Sequence, residues 1–337
     1  MMADLATAPK NASRLVPLPG RRPRTVTGRN LQVGVALVII AVVVLSSVFA
    51  PLVAPHDPLL SDPASKYLPP GSPGHLLGTD DQGRDLLSRI IWGGRTSLLI
   101  AVVAVAFSTV VGSALAIVAG FAGPLLSGLI MRTVDVMFAF PVIIVAVALA
   151  ALFAPGPSVV ILAIAFAVIP YVSRVVFAEV KQQKGQDYVE AAVSLGAGHA
   201  SILFREVLPN VTTQIIVYAT SLVGGMVVFA SSLSAVGIGV QPPTADWGQM
   251  IATGARVVIS GNLYVALFPG LMVLIVALAF NWLGDGLRDV LDVRQRSGAP
   301  SRRKTGDAGA DGRDTPVGAA GPDGHADASG RAEEVPR

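Results

Sequence analysis

The amino-acid sequence predicts an all-α, polytopic membrane protein with about six transmembrane helices. Of its 337 residues, 52% are hydrophobic and 14% are charged, a balance too apolar for an ordinary soluble domain of this length. A helix needs roughly 20 apolar residues to cross a hydrocarbon core about 30 Å thick. The stretches that lack Asp, Glu, Lys and Arg and meet this requirement are 31–55, 96–131, 136–173, 207–245 and 257–284.

The composition also excludes several classes of site. The sequence contains no cysteine, which rules out disulfides, thiol catalysis and cysteine-ligated metals. The four histidines, His56, His75, His199 and His325, are far apart and lack metal-ligand spacing, so neither a metal nor a cofactor is predicted. The net charge of +3 predicts no nucleic-acid partner, because the basic residues lie mainly beside apolar stretches, where orientation in a lipid membrane explains them.

The N-terminal region contains a tail, one span and a polar loop. Residues 1–29 are rich in Pro, Arg, Ala and Thr without periodicity, which predicts a disordered tail. The first span covers 31–50 and is closed by prolines. The polar segment that follows is crowded with Pro, Gly and Asp, and it predicts an external loop with one short helix near 83–92. The span and this loop together form a region of residues 30–94.

Five further spans are predicted within a core of residues 95–296. The segment 154–158, Ala-Pro-Gly-Pro-Ser, separates the third span from the fourth as a tight turn, because proline ends helices. A polar loop, 179–210, separates the fourth span from the fifth, and the Gly/Ala/Asp/Arg-rich tail 297–337 is predicted to be disordered. The second to sixth spans are predicted at 96–120, 129–153, 158–178, 214–236 and 263–283.

The distribution of basic residues predicts the orientation. An even number of spans places both termini on one side of the membrane. The N-terminal tail, the 179–210 loop and the stretch after the last span hold most of the Lys and Arg residues near the spans. The other side holds Lys66, Arg84, Arg89, Arg95 and Arg256. Because positive charge favours the cytoplasmic side, both termini and the 179–210 loop are predicted to be cytoplasmic.

The 179–210 loop contains a helix with an unusually small surface. Its pattern is a short helix, a glycine stop, a second short helix, and a proline that opens the next span. Ala191 and Ala192 leave a face with almost no side chain, which permits close approach of a partner's backbone. Gly196 can adopt the left-handed conformation that ends a helix and reverses the chain. Glu190 supplies charge at the edge of this surface.

These residues resemble the Glu-Ala-Ala loop of bacterial ABC importer permeases. In that family Glu-Ala-Ala and a glycine are followed by Leu-Pro, and the spacing from Gly196 to Leu208 and Pro209 matches it. The resemblance implies that the loop docks as a coupling helix into a separate ATPase. Arg205 and Glu206 flank the second helix, and Glu206 stands where the family pattern has Ile. The ATPase-coupling residues implied are Glu190, Ala191, Ala192, Gly196, Arg205, Glu206, Leu208 and Pro209.

Further motifs resemble the second permease subunit of dipeptide, oligopeptide and nickel importers. They begin with Leu-Gly-Thr-Asp-Asp-Gln-Gly-Arg-Asp at 77–85 and continue to Asn-Trp-Leu-Gly-Asp-Gly-Leu-Arg-Asp at 281–289, so the resemblance covers about 31–296. It implies the type I importer fold in a bacterial inner membrane. It also implies a second homologous permease, two ATPase subunits and an extracytoplasmic solute-binding protein as partners. Ala230 and Ala235 stand where the family has an acidic residue and Phe, which implies a less polar and wider pathway if they line it.

A few residues inside the spans carry separate expectations. Arg132 and Asp135 lie one helical turn apart, and because charge in hydrocarbon is costly they are expected to pair or to reach the interface, with gating or substrate contact as the alternative. Small residues within the spans predict close helix contacts. They are Gly112, Ala116, Gly120, Gly224 and Gly225.

Other classes of function remain as alternatives. No Gly-x-x-x-x-Gly-Lys-Ser/Thr loop occurs, so ATP is expected to be hydrolysed by another chain and no catalytic residue is predicted. An ion-gradient-driven secondary transporter would require inverted repeats or an acidic relay at the midplane, and the sequence presents neither. A structural or assembly protein of the membrane is the third possibility.

Overall fold

The computed structural model describes the backbone of residues 26–297 and the side chains of 31–289. The tails predicted at 1–29 and 297–337 therefore lie almost entirely outside the described residues. Within the described range the regular elements are helical. In chain order they are α1 (Val26–Val48), α2 (Ala50–Val53), a 3₁₀ turn (Pro63–Ser65), α3 (Leu86–Phe121), α4 (Pro124–Phe138), α5 (Val142–Phe153), α6 (Pro157–Lys184), α7 (Asp187–Ser194), α8 (His199–Ser201), a π-helical segment (Ile202–Val207), α9 (Leu208–Ala235), α10 (Trp247–Ala255) and α11 (Tyr264–Ser297).

The helices support five or six membrane crossings. Within the described range five helical stretches are long and apolar enough to cross alone: α1, α3, α6, the continuous stretch His199–Ala235, and α11. The sixth crossing requires α4 and α5 to act as one broken span. The all-α membrane fold predicted from the sequence is confirmed.

The third predicted span, 129–153, is wrong as a single helix. The chain bends by 86° between α4 and α5. Pro141 occupies the bend with an extended ψ of 123°. Its ring also disfavours a helical conformation at the preceding residue, Phe140. The sequence prediction placed 129–153 in one span, whereas Pro141 separates two helices of 15 and 12 residues.

The short external helix predicted near 83–92 is also wrong, because residues 86–92 are the opening turns of the 36-residue helix α3. Asp85 caps this helix, accepting a hydrogen bond from the Ser88 amide at 2.8 Å. Gly93 and Gly94 do not end the helix, although such a pair often would. A Cβ added to Gly94 would lie 2.9 Å from the Trp247 ring, so the two glycines are required by close packing rather than by a turn.

The α3–α6 contact uses the small residues of α3. A Cβ at Gly112 would lie 2.9 Å from Val172 Cβ, and one at Gly120 would lie 2.5 Å from Val180 Cγ1. The two helices are also joined by polar contacts to these glycines, since the Ser173 hydroxyl donates to Gly112 O at 3.1 Å. The close packing predicted for this series is confirmed, and it lets the helices approach where lipid supplies no hydrophobic drive between them.

Contacts between helix ends define two ends of the bundle. The loop end carries residues 185–207, and the far end carries 54–85 and 237–263. The C-terminal ends of α3 and α6 meet at the loop end, where Lys184 Nζ donates to Gly120 O at 2.9 Å. The start of α3 meets the segment before α10 at the far end, where the Ser97 hydroxyl donates to Asp246 Oδ1 at 2.7 Å.

The far end contains a buried polar network. Asp80, Arg84 and Arg89 are each at most 5% exposed, with Arg84 Nε donating to Asp80 Oδ2 at 2.7 Å and Arg89 Nε lying 3.3 Å from the same oxygen. The charged side chains of Arg84 and Arg89 are therefore paired with Asp80 inside the protein. His56 and His75, which sequence spacing gave no reason to associate, lie in the same region with ring centroids 5.0 Å apart.

Asp246 caps α10 from a buried position. It is 2% exposed and accepts hydrogen bonds from the Ser97 hydroxyl and the Gln249 amide. Burial raises the pKa of Asp246 above its usual value, while these hydrogen bonds act in the opposite direction.

Gly224 and Gly225 offer a test of the α9–α11 contact. We expect Gly224→Ala to lower the free energy of unfolding by about 1–3 kcal/mol, because its Cβ would lie 2.6 Å from Ala277 O on the backbone of α11. Gly225→Ala is the matched control, since nothing lies within 4 Å of a Cβ there. Thermal unfolding of the purified chain in detergent measures both. Equal unfolding midpoints for the two variants would contradict the expected contact.

Candidate functional site

The loop predicted to couple to a partner forms a short helix closed by a glycine. α7 ends at Ser194, and Gly196 follows with φ of +82°, a left-handed conformation that glycine adopts without strain. The Gly196 amide donates to Val193 O at 2.9 Å, and the Ala197 amide donates to Ala192 O at 3.0 Å. This pair of hydrogen bonds is the Schellman arrangement, so the helix stop predicted at Gly196 is confirmed.

Buried valine and isoleucine side chains hold the loop against the bundle. Val189 of α7 is 4% exposed, while Ile202 and Val207 of the π-helical segment are 7% and 1% exposed. They belong to one apolar cluster with Val180 of α6 and Val211 of α9. The short helices of the loop end are therefore continuous with the core that contains two of the spanning helices.

The opposite surface of the loop presents apolar side chains to the outside. Val193 is 57% exposed, Leu195 is 89% exposed and Phe204 is 64% exposed. Sequence reasoning selected the small residues and the charged residues of this loop and missed these three. The signal was available, because large apolar residues in a polar loop require either a core or a partner.

The predicted coupling residues lie on or beside this exposed surface. Glu190, Ala191, Gly196, Arg205 and Pro209 are exposed in the chain. Partial burial is seen for Ala192, Glu206 and Leu208. Both α7 and the segment of Arg205 and Glu206 are thus accessible to a partner on the loop end.

The second short helix does not end before the next span. α8 runs through the π-helical segment into α9 without a break, and the Leu208 amide donates to Leu203 O, five residues earlier. Pro209 lies in the first turn of α9, as predicted for a proline that opens the span, although no break precedes that helix. The wider π-helical turn keeps the helix continuous up to a residue that has no amide donor.

Tyr188 connects three helices at the loop end. Its hydroxyl donates to Gln183 Oε1 of α6 at 2.7 Å and accepts from Asn210 Nδ2 of α9 at 3.3 Å. Tyr188 itself belongs to α7. A displacement of α7 would therefore act on two spanning helices through one side chain.

The expected pair of Arg132 and Asp135 is not formed. Arg174 of α6 instead donates to Asp135 Oδ1 at 2.5 Å, and no ion pair to Arg132 occurs in the described part of the chain. Arg174 also lies 4.3 Å from the centre of the Phe138 ring. Spacing along α4 suggested Arg132, but packing of α4 against α6 brings a partner from 39 residues away.

The two alanines that depart from the family pattern differ in environment. Ala230 is 3% exposed and belongs to the apolar cluster inside the chain. Ala235 is half-buried at the end of α9. Ala230 therefore packs inside the chain and contributes no exposed surface, whereas Ala235 is partly accessible.

Comparison with known proteins gives matches over most of the chain. Residues 33–70 match the family described as the N-terminal transmembrane domain of oligopeptide transport permease C. The di/tripeptide transport system permease protein of Pseudomonas aeruginosa is 41% identical over 270 residues, covering 78% of this chain and 88% of that protein. The probable D,D-dipeptide transport system permease protein of Escherichia coli is 36% identical over 282 residues, covering 84% and 91%.

A glutathione transport system permease protein of Pectobacterium atrosepticum is 39% identical over 226 residues, covering 67% of this chain and 75% of that protein. Residues 112–297, which include α7 and the whole loop end, match the family described as the inner membrane component of binding-protein-dependent transport systems. With a family match over more than half of its length and relatives above 30% identity, the chain belongs to that family of transport permeases.

Proposed function

We propose that this chain is a permease subunit of an ATP-driven importer for di- or oligopeptides or related small solutes. With a second homologous permease it would enclose the pathway, while an extracytoplasmic binding protein delivers the solute and two separate ATPases hydrolyse ATP. Peptide permeases among its relatives support the solute class. Family membership favours this function over an ion-driven secondary transporter.

The observation that carries the proposal is the exposed surface of the loop end. A helix with two consecutive alanines, bordered by exposed Val193, Leu195 and Phe204, is suited to insert into a groove. Its inner side is fixed to the core by Val189. Because buried contacts fix the loop to the helix bundle, a motion of the ATPases that displaces the loop would also move the spanning helices.

The proposed roles divide the chain in two. Residues 95–296 would form the pathway and its coupling loop, with Glu190, Ala191, Ala192, Gly196, Arg205, Glu206, Leu208 and Pro209 as the ATPase-docking set. Residues 30–94 would add the first span and the external segment. We place the chain in a bacterial inner membrane with both termini in the cytoplasm, as the distribution of basic residues supports.

Co-purification tests the function directly. The tagged chain, expressed with the genes encoded beside it, is expected to be isolated with a sister permease and two ATPase chains. Solute uptake by that complex in proteoliposomes should require ATP. Uptake driven by an ion gradient without ATP would contradict the proposal.

Orientation can be tested cleanly because the sequence has no cysteine. Ser194 on the loop end and Leu60 on the far end are both exposed, so a single cysteine introduced at either position can be labelled. A membrane-impermeant maleimide should label Leu60→Cys in intact cells, after removal of any outer membrane barrier, and Ser194→Cys only after lysis. The reverse result would overturn the proposed coupling loop.

Tyr188→Phe should weaken coupling while leaving the complex assembled. The variant keeps the ring but loses the hydrogen bonds to Gln183 and Asn210, each worth about 1 kcal/mol. We expect uptake per ATP hydrolysed to fall about fivefold. Tyr67→Phe at the far end is the control, since its hydroxyl makes no hydrogen bond among the described residues. An unchanged ratio in Tyr188→Phe would show that this side chain does not transmit the motion.

A further inference from the structure

Three potential metal ligands from separate segments converge at the far end. His56 follows α2, His75 lies in the polar segment, and Asp85 caps α3. One ligand atom from each lies within 4.8 Å of the other two. The set is distant from the loop end, and the proposed import function does not use it.

The distances around Asp85 suit a divalent metal ion. His75 Nδ1 lies 2.9 Å from Asp85 Oδ1, and His56 Nδ1 lies 3.8 Å from Asp85 Oδ2. Neighbouring ligands of tetrahedral zinc are about 3.3 Å apart, given metal–ligand bonds of about 2.0 Å. The two observed separations lie on either side of that value.

The acidic ligand is fixed by surrounding hydrogen bonds. The Ser88 amide and hydroxyl donate to Asp85 Oδ2 at 2.8 and 2.7 Å. The same hydroxyl accepts from the His56 amide at 3.0 Å, which ties the backbone of one ligand to the side chain of another. Such outer contacts orient metal ligands and are needed for tight binding.

The His56 ring lies beside both other ligands without hydrogen bonding to either through Nδ1. Its Nδ1 atom is buried and makes no hydrogen bond among the described residues. A buried nitrogen without a partner is costly, and a metal ion would satisfy it. The His56 and His75 side chains are 36% and 19% exposed, which leaves one side of the cluster open for a water molecule as fourth ligand.

We propose that His56, His75 and Asp85 form a binding site for one divalent transition metal ion, with Zn²⁺ as the ion that best fits two imidazoles and one carboxylate. Binding replaces the contact between His75 Nδ1 and Asp85, so any proton on that nitrogen is released or moves to Nε2. The site fastens the segment after α2 and the turn at His75 to the start of α3.

Zinc titration of the metal-stripped, full-length chain in detergent tests the site. Calorimetry should give saturable binding of one ion per chain, and zinc should raise the unfolding midpoint. Cobalt in place of zinc should give a visible absorption spectrum of four-coordinate Co²⁺. We expect His56→Gln and His75→Gln each to weaken binding by more than about tenfold.

His56→Gln is the decisive variant, because His56 Nδ1 makes no hydrogen bond in the described structure that the substitution would remove. His199→Gln, at an exposed histidine on the loop end, should bind zinc as the wild type does. Absence of stoichiometric binding in the wild type would overturn the proposal. Wild-type affinity in either His56→Gln or His75→Gln would also overturn it. Neither result depends on transport.

Discussion

Gly196→Val is expected to abolish solute uptake while leaving the protein in the membrane. Gly196 has φ of +82°, and a residue with a side chain loses about 1–2 kcal/mol in that conformation, a β-branched residue more. A cost of about 2 kcal/mol lowers the equilibrium ratio of the observed α7 geometry to its alternatives by a factor of roughly 30. Uptake and ATP hydrolysis by the reconstituted importer, with membrane abundance measured alongside, give the result.

Two variants separate conformation from bulk. Gly198 has φ of −72° and open space around it, so Gly198→Val adds the same side chain two residues away without backbone strain. It should retain most uptake. Gly196→Asn should retain intermediate uptake, because Asn tolerates the left-handed conformation better than Val. Normal uptake by Gly196→Val would exclude α7 as the transmitting helix.

Trp247→Ala is expected to cost about 3–5 kcal/mol in the free energy of unfolding. Trp247 is 0% exposed, and its ring packs against Gly93 and Gly94 of α3. Its Nε1 donates to Ile90 O at 2.9 Å. Removal would leave a cavity where α3 and α10 meet. Thermal unfolding of the purified chain should show a large decrease in the midpoint.

Matched variants separate volume from hydrogen bonding. Trp247→Phe keeps much of the ring volume but loses the hydrogen bond to Ile90, so we expect a smaller loss than in Trp247→Ala. Trp282→Ala removes a tryptophan that is 37% exposed in the chain and should cost less. If Trp247→Ala unfolded at the same temperature as Trp282→Ala, the proposed packing role of Trp247 would be refuted.

Local sequence patterns predicted the features that depend on local physics. Charge-free stretches located the spans because lipid excludes charge over a defined length. The glycine at position 196 predicted the end of α7, and the small residues Gly112, Ala116 and Gly120 predicted a close helix contact, whose partner the structure identifies as α6. The predicted span 129–153 failed at Pro141, because a proline inside an apolar stretch is sometimes accommodated in a helix and sometimes breaks it. Pro170 is tolerated inside α6, whereas Pro141 separates two helices.

The sequence by itself determined the membrane fold, the approximate positions of most spans and the helix of the 179–210 loop with its glycine stop. Only the tertiary structure decided that Asp135 pairs with Arg174, that His56 and His75 meet at Asp85, and that Leu195 and Phe204 face outward. The physical reason is the separation in sequence between the residues that interact. Spans, caps and turns follow from neighbouring residues, whereas these contacts depend on helix packing that joins residues far apart in the chain.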